Sequence, residues 1–392
     1  MKITKVETYI VSAGWKNWLF VKVLTDSKFY GIGEATLNGF AKTTEVAIHE
    51  LKHLVIGKDP CQVRSIAKTI ISTVQDAGHI HRMVMAALEV ACWDILGKYL
   101  GVPVHQLLGG KLRDSILAYA NGWYQTERIP EDFAKAAEEV VSKGFRAIKL
   151  DPFGTAQGFI DEANLELAYK IVEAIRKRVG PYIRIMIDVH IRFTPSEAIR
   201  IAGRLAALDI FWWEEPTTPE REQLTCEVAK KCPIPVATGE RFDKVGQFAT
   251  LALGEGVSIW QPEPMSLGGI LSTIAVANLA EANGCWIAPH QSGGPVQTVV
   301  CLHLAACIPN FLILEHFDPF NEPWTQELVT WKPEINQNNG HLPIPNNPGL
   351  GVDLNMNIVS AHPYNVHAYL DIHQEDWEKR TGTAGREGNL GI

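Results

Sequence analysis

A series of polar residues closes successive short apolar segments of the chain, and their types are those that act in catalysis and metal binding. Its members are Lys149, Asp188, Glu214, Glu240, Glu263, His290 and Glu315. From Asp188 onward, neighbouring members are 23 to 27 residues apart, about the length of one strand, loop and helix. One such residue is ordinarily a helix cap or part of an ion pair. The whole series indicates a functional site, because charges that end apolar strands must be paired or bind metal.

Three consecutive members of the series are carboxylates, Asp188, Glu214 and Glu240. Carboxylates brought together repel one another, and a cation among them relieves the repulsion. Because an all-oxygen ligand set favours a hard ion, Mg²⁺ is the predicted cofactor. An ion held in this way keeps open positions that a substrate carboxylate and hydroxyl can fill.

Two histidines and a lysine are predicted to face the same centre. His190 lies two residues beyond Asp188, and residues i and i+2 of a strand share a face. His290 closes a later segment, and Glu263 precedes it in the series, so that Glu263 can hydrogen-bond its ring and raise its basicity. Lys149 precedes the three carboxylates in strand order, whereas His290 follows them, so the lysine is expected to approach from the side opposite to His290.

The elements that must position these residues are eight short apolar segments, separated by helical segments such as EDFAKAAEEVVSKG. The eight are ILAYANG (116–122), FRAIKLD (145–151), YIRIMIDVH (182–190), DIFWWEEP (209–216), PIPVATGE (233–240), VSIWQPEP (257–264), CWIAPHQ (285–291) and FLILEHF (311–317). This alternation is typical of a parallel sheet covered on both faces, and eight units favour a closed barrel. The carboxyl ends of barrel strands meet on one face, where active sites of this fold lie.

The pattern divides the chain into three parts. Residues 1–115, with strand-like segments at the start and a helical pattern over 83–99, predict an α+β capping domain that contributes to substrate specificity. Residues 116–320 form the catalytic barrel, so that the predicted fold class is α/β with a TIM-type barrel. Residues 321–392 are predicted to return to the cap and to end in a mobile tail.

Composition excludes several classes of protein. With 392 residues, 46% hydrophobic and 20% charged, the chain is globular rather than disordered. A net charge of −8 without a Lys/Arg cluster argues against nucleic acid as a partner. No apolar run is long enough for a membrane span, and the first residues lack the pattern of a signal peptide. Seven cysteines without a CxxC pair indicate a reducing compartment, and a cytoplasmic location is expected.

Several segments carry a family resemblance that covers most of residues 1–355. They are ALEVACWDILGKYLGVPVHQLLGG, YANGWYQ, IKLDPFG, DVH, WWEEP, ATGER, QPEPMSLGGI and APH. Together they resemble the enolase superfamily, in its mandelate racemase/muconate lactonizing enzyme-like branch, and within it the galactonate and gluconate dehydratases. The resemblance implies a modified (β/α)7β barrel, Mg²⁺ as cofactor, a small-molecule sugar acid as substrate and a homo-oligomer.

The resemblance also implies roles for individual residues. The residues that match metal ligands are Asp188, Glu214 and Glu240. His290 of APH matches the base that removes the proton α to the substrate carboxylate. His190 of DVH matches the acid that protonates the departing C3 hydroxyl. Glu315 matches a group that donates a hydrogen bond to the enediolate, which Lys149 also stabilises.

Two departures from the family pattern bear on the reaction. Glu263 stands where the family usually has the Asp that pairs with the base. Lys149-Leu150-Asp151 stands where racemases and cycloisomerases usually carry Lys-x-Lys, so the second lysine base is missing. Its absence favours β-elimination of water, that is, a hydro-lyase that converts an aldonate or aldarate into a 2-keto-3-deoxy acid.

Substrate contacts from the cap are predicted at Trp15 in GWKNW, at Asn38 and at His79. His79-x-His81 is more simply a substrate-facing or solvated loop than a second metal site. Trp123 and Gln125 on the first barrel strand are further candidates for the pocket wall.

Three alternatives remain open on the sequence alone. An epimerase or cycloisomerase on an acid sugar would use Asp151 or His190 as its second base. A non-catalytic barrel protein would have lost turnover, against which the intact carboxylates and both histidines argue. A zinc hydrolase is disfavoured, because its first barrel strand would carry His-x-His and here reads ILAYANG.

Overall fold

The computed structural model describes residues 1–73 and 78–380. The chain opens with an antiparallel sheet of three strands, β1 (Ile3–Ser12), β2 (Asn17–Thr25) and β3 (Tyr30–Glu34). Ser12 pairs with Asn17, so the four intervening residues form a tight connection that carries Trp15. The hairpin thereby presents this connection at one end of the sheet.

Four helices complete the N-terminal part, and the third packs directly on the sheet. They are α1 (Ala41–Leu51), α2 (Val63–Thr73), α3 (Gly78–Leu100) and α4 (Val104–Leu107). Gly31 and Gly33 of β3 permit the close approach, because a Cβ on either would lie about 2 Å from a backbone oxygen of α3. The predicted helix over 83–99 is confirmed, and it begins five residues earlier than predicted.

Eight parallel strands follow, one for each predicted apolar segment. They are β4 (Ser115–Ala120), β5 (Ala147–Leu150), β6 (Arg184–Asp188), β7 (Ile210–Glu214), β8 (Val236–Thr238), β9 (Ile259–Trp260), β10 (Trp286–Ile287) and β11 (Leu314–His316). Consecutive strands pair from β4 to β10, and β11 pairs with β4. A parallel bridge between Ile287 and Phe311 joins the two ends of the curled sheet. The sheet therefore closes as the sequence predicts.

Helices cover the outside of this sheet. They are α5 (Pro130–Ser142), α6 (Glu162–Val179), α7 (Pro195–Leu205), α8 (Glu222–Lys231), α9 (Val245–Gly254), α10 (Pro264–Leu267), α11 (Ile270–Ala282) and α12 (Pro295–Cys307). Short 3₁₀ turns lie at Lys52–Leu54, Ala206–Leu208, Asp318–Phe320, Pro323–Glu327 and Trp377–Lys379. Every strand from β4 to β10 is followed by a helix and β11 is not, which confirms the modified (β/α)7β barrel. Within the described ranges, no helix is both long and apolar enough to cross a membrane.

The barrel interior is filled by one ring of side chains. Tyr119, Met186 and Trp212 are its largest members, and all three are buried. Trp213, the next residue along β7, points outward into the layer between sheet and helices. Alternation along a strand thus separates the interior from the helix-facing layer, and it leaves the strand ends for polar groups.

The chain beyond the barrel returns to the N-terminal part. Strand β12 (His341–Pro343) pairs antiparallel with β4, and α13 (Met356–Ala361) follows. Residues 364–380, here called the C-terminal strap, then run along the cap. The Asn17 amide donates to the Asn365 carbonyl oxygen at 2.8 Å and to the Ala368 carbonyl oxygen at 3.2 Å. Of the predicted mobile tail, residues 381–392 lie outside the described residues.

Two buried carboxylates dock the cap on the barrel through helix N-termini. Glu89 of α3 accepts hydrogen bonds from the backbone N–H groups of Ile270 (2.9 Å) and Leu271 (3.0 Å) at the start of α11. Glu34 of β3 accepts from the N–H groups of Gly294 and Gln297 at the start of α12. These N–H groups have no partner within their own helices, and the helix dipole favours a carboxylate there. The cap is therefore held in a fixed position over the strand ends.

The Glu89 contact predicts a pH dependence of stability. Burial raises the pKa of Glu89 from 4.5 to about 7, so the folded state binds this proton more tightly than the unfolded state. The stabilisation is complete below about pH 4.5 and is lost as the pH rises through 7, by ~3 kcal/mol at most. Glu89→Gln cannot titrate, so its free energy of unfolding relative to wild type should rise across this window. Urea denaturation at several pH values measures this, and a constant difference between the two proteins would contradict it.

Candidate active site

A cavity of about 400 Å³ lies between the carboxyl ends of the barrel strands, the cap and the strap. From the barrel, five residues of the predicted site line it: Asp188, His190, Glu240, Glu263 and His290. From the cap, Trp15, Asn38 and His79 line it. Lys149, Glu214 and Glu315 are buried behind this wall, with at most 1% of their surface exposed. The predicted residues thus form one cluster in two layers.

The three carboxylates meet at the strand ends. Asp188 and Glu214 are the last residues of β6 and β7 and are paired in register, and Glu240 follows β8 by two residues. One oxygen from each lies within 4.8 Å of the others, and all three residues are buried. Burial and the neighbouring charge of Asp188 raise the pKa of Glu214 well above its ordinary value. Oε2 of Glu240 is buried and has no hydrogen-bond partner within the described ranges, so this all-oxygen set fits a hard cation.

Lys149 supplies positive charge beneath the carboxylates. Its Nζ contacts Oε1 of Glu214, and it lies 3.2 Å from Oδ2 of Asp188 and 3.0 Å from Oε1 of Glu315. Burial by itself lowers the pKa of the lysine, but the charges of Glu214 and Glu315 raise it well above its ordinary value. The ammonium group therefore stays protonated and holds the carboxylates together.

His290 is supported by a carboxylate on each nitrogen. Its Nδ1 lies 3.0 Å from Oε2 of Glu263, and its Nε2 lies 3.6 Å from Oε2 of Glu240. Burial lowers the pKa of His290, but the charge of Glu240 and the hydrogen bond to Glu263 raise it to about 10. The longer side chain of glutamate thus reaches the ring from the end of β9. Gln297 of α12 contacts the other oxygen of Glu263 at 3.4 Å.

His190 reaches the cavity from a left-handed turn rather than from a strand. Strand β6 ends at Asp188, and both His190 (φ 50°) and Ile191 (φ 54°) have positive φ. This conformation costs about 1–2 kcal/mol per residue for an L-amino acid. A hydrogen bond from the His190 N–H to Oδ1 of Asp188 at 3.0 Å holds the turn. The predicted direction is right, but the alternation of a strand is not its cause.

Asp151 contacts the ring of His190 and the guanidinium of Arg192. Its Oδ2 lies 2.7 Å from Nδ1 of His190 and accepts from Nη2 of Arg192 at 2.6 Å. Trp377 of the strap packs edge-on against the His190 ring at 5.8 Å and lies under the Arg192 guanidinium at 5.4 Å. His190 and His290 therefore each carry a carboxylate on Nδ1, which fixes the direction of Nε2.

Glu315 and its neighbour Asn121 occupy the floor near β4. Oε1 of Glu315 accepts from the Asn121 amide at 2.7 Å, and Oε2 accepts from the backbone N–H of Gln291 at 2.8 Å. Asn121, which sequence reasoning missed, lines the cavity and separates Glu315 from it. In these contacts Glu315 acts as an acceptor, and the donation to a substrate that the resemblance implies stays a prediction.

The cap residues take different positions. The Trp15 indole donates to Oδ1 of Asn321 at 2.9 Å and stacks on Phe317. The Asn38 amide bonds the backbone of Leu370 in both directions, and it thereby tethers the strap.

The remaining candidates differ from the expected loop and strand positions. His79 and His81 lie in the first turn of α3 rather than in a loop, and His81 is buried against the Ile70 carbonyl oxygen. Residues i and i+2 of a helix do not face each other, so the pair does not form a second site. Among the residues after β4, Gly122 and Tyr124 line the cavity in place of Trp123 and Gln125.

Comparison with known families matches both parts of the chain. Residues 132–358 match the family described as enolase C-terminal domain-like, and residues 3–109 match the mandelate racemase / muconate lactonizing enzyme N-terminal domain. The first of these matches spans more than half of the chain.

Individual relatives and a solved structure agree with the family match. The chain is 32% identical to D-xylonate dehydratase of Haloferax volcanii, covering 92% of this chain and 89% of that protein. It is 33% identical to D-galactonate dehydratase of Pectobacterium atrosepticum, covering 93% and 95%. A crystal structure of a mandelate racemase/muconate lactonizing enzyme from Jannaschia sp. CCS1 superposes with a TM-score of 0.87 at 32% identity, covering 93% of this chain and 98% of that one.

Proposed function

The chain belongs to the mandelate racemase / muconate lactonizing enzyme family of the enolase superfamily, and from this premise we propose that it is a Mg²⁺-dependent dehydratase of acid sugars. One observation carries the proposal. Two histidines, each held by a carboxylate, line one cavity together with a buried carboxylate triad. Such a site can remove a proton at one carbon and deliver a proton to an oxygen on the next. The dehydratases among the relatives support this reaction class.

The triad fits Mg²⁺, which would be held by Asp188, Glu214 and Glu240 and would stabilise negative charge on a substrate carboxylate. Lys149 keeps these ligands close by offsetting their repulsion. Positive charge fixed in a dry site also favours the enediolate, since it needs no reorganisation when the charge develops.

His290 serves as the general base. Glu263 holds Nδ1 by a hydrogen bond, and Nε2, which lies 3.6 Å from Oε2 of Glu240, takes the proton from C2 of the substrate. A divalent cation held beside Glu240 would offset the charge of that carboxylate and would thereby lower the pKa of His290 from its raised value.

His190 serves as the general acid. Asp151 holds its Nδ1, and its Nε2 delivers a proton to the C3 oxygen as the C3–O bond breaks and water leaves. The electron pair of the broken C2–H bond forms the C2–C3 double bond. The resulting enol tautomerises to a 2-keto-3-deoxy acid. The homo-oligomer implied by the family stays a prediction.

An acid-sugar epimerase is a second candidate, and one observation favours it. His190 and His290 carry equivalent carboxylate partners, Asp151 and Glu263, which is also an arrangement for exchanging a proton from two sides. The two reactions differ in whether the C3 oxygen leaves.

A screen of aldonates and aldarates with Mg²⁺ tests the proposal. The expected result is formation of a 2-keto-3-deoxy acid from at least one of them, loss of activity on chelation, and recovery when Mg²⁺ is restored. The same screen in D₂O detects exchange at C2. Exchange or inversion without loss of water would favour the epimerase, and no reaction at all would contradict both candidates.

Replacing Asp151 by asparagine tests the role of His190. The variant weakens the orientation of His190, and we expect water elimination to fall about 10- to 100-fold while deuterium exchange at C2 continues. The ratio of exchange to elimination therefore rises, which general loss of folding would not produce. Arg192→Gln is the matched control for the loss of the ion pair. Equal losses of exchange and elimination in Asp151→Asn would contradict the assignment.

A further inference from the structure

Two cations line the cavity on the side of the cap and the strap, one of them buried and the other partly buried. Lys16 belongs to the connection between β1 and β2, and Arg380 is the last described residue of the strap. The other cations near the site, Lys149, Arg192 and Arg241, all contact carboxylates. Lys16 and Arg380 differ from them, because their hydrogen bonds go to uncharged groups.

Lys16 is only 5% exposed. Its Nζ donates to the carbonyl oxygen of Ser292 at 2.7 Å and to its hydroxyl at 3.2 Å. An ammonium group has three donors, so one remains for a ligand. Burial lowers the pKa of Lys16 to about 8, although the charges of Glu263 and Glu34 oppose this shift.

Arg380 is similarly placed. One nitrogen, Nη2, donates to the carbonyl oxygens of Gly122 and Phe320. Nε and Nη1 are buried and have no hydrogen-bond partner among the described residues. Burial lowers the pKa of Arg380 to about 10, but the guanidinium remains charged at neutral pH.

Both cations flank Trp15. Nζ of Lys16 lies 4.3 Å from the centre of the Trp15 ring, and the guanidinium carbon of Arg380 lies 5.2 Å from it. Trp15 is itself fixed by its bond to Asn321 and by stacking on Phe317. Within the described part of the chain, no carboxylate lies within ion-pair distance of either cation. Two like charges held this close need an anion to offset them.

The ligand can supply that anion. The metal-side carboxylate of an acid sugar is directed to the triad, so a second negative group would have to lie at the far end of the molecule. We propose that Lys16 and Arg380 bind a distal carboxylate, and that the preferred substrates are dicarboxylic sugar acids, the aldarates, rather than aldonates. This inference rests on the proposed function, and it names a substrate class different from the aldonates for which the relatives are named.

Paired substrates test the inference. Gluconate and glucarate, or galactonate and galactarate, differ only in whether C6 is an alcohol or a carboxylate, and 6-phosphogluconate places a phosphate there. We expect the wild-type kcat/KM to be at least ten-fold higher for the aldarate of a pair. Lys16→Met and Arg380→Gln should each reduce the aldarate-to-aldonate ratio about ten-fold or more, since each removes a charge-assisted hydrogen bond. Lys28→Met, which removes an exposed lysine of the cap outside the cavity, should leave the ratio unchanged.

The outcomes separate this inference from the proposed function. An aldonate preference, or a ratio that both variants leave intact, would overturn the inference while the dehydratase function stands. A preference for 6-phosphogluconate would overturn the dicarboxylate in favour of a phosphate. If no acid is dehydrated, the proposed function fails, and thermal shifts then test the inference: glucarate should stabilise the wild type more than gluconate does, and Lys16→Met should remove the difference.

Discussion

His290→Asn is expected to lower kcat/KM for dehydration by about 10³- to 10⁴-fold and to abolish deuterium uptake at C2. The His290 imidazole is the proposed base, because Glu263 occupies its Nδ1 and leaves Nε2 to take a proton. Asparagine fills much of the same space and can still bond Glu263, but it cannot accept a proton. Proton exchange in D₂O, followed by NMR, measures the first step separately from loss of water.

His341→Asn is the matched control, since it removes a histidine of β12 that is not among the residues lining the cavity. It should exchange and eliminate at the wild-type rate. Glu263→Gln should fall between the two, with a loss of about 10- to 100-fold, because the ring keeps a neutral partner. If His290→Asn still exchanges the C2 proton at the wild-type rate, another residue is the base.

The barrel was predictable from the sequence because its signals are local. Each strand is a short apolar run, and helices such as α5 and α7 carry an amphipathic pattern, so the alternation can be read without long-range information. The position of the cavity was predictable for the same reason, because the polar residue that ends each apolar run is also a local signal. Asp188 and Glu214 end their strands in register, as the near-constant spacing predicts.

Other parts of the site depend on long-range contacts that no local sequence pattern predicts. His190 points into the cavity because two successive residues adopt positive φ, which the sequence DVHI does not signal. Asp151 could be seen as a departure from Lys-x-Lys, but not as the partner of His190 and Arg192. The strap brings Trp377 and Arg380 to the cavity from more than 60 residues beyond the last barrel strand.

Docking of the cap was likewise beyond sequence reasoning. Glu89 lies in the middle of an apolar helix, where periodicity marks it only as an exception. The structure explains this exception, because Glu89 accepts hydrogen bonds from the N-terminus of α11. A buried carboxylate inside an apolar helix is therefore a signal worth following, since such a group requires a partner.

Lys149→Met is expected to destabilise the folded protein by about 3–5 kcal/mol, because it leaves buried carboxylates without their counter-charge. The ammonium group contacts Asp188, Glu214 and Glu315 at once, so no single surviving pair replaces it. Chemical denaturation measures the loss. Lys143→Met, which removes an exposed lysine shortly before β5, is the matched control and should change stability by less than about 0.5 kcal/mol.

The Mg²⁺ response of the same variant tests whether Lys149 and a metal ion balance the charge of the same cluster of carboxylates. With Lys149 absent, a divalent cation becomes the main positive charge among the carboxylates, so Mg²⁺ should raise the melting temperature of Lys149→Met more than that of wild type. The double variant Lys149→Met/Glu315→Gln should recover part of the lost stability, because one of the repelling charges is gone. Equal Mg²⁺ responses in both proteins, or no loss of stability in Lys149→Met, would mean that the lysine does not balance the charge of the triad. A larger Mg²⁺ response would instead show that lysine and cation act on shared carboxylates, Asp188 and Glu214, as a metal site at these strand ends requires.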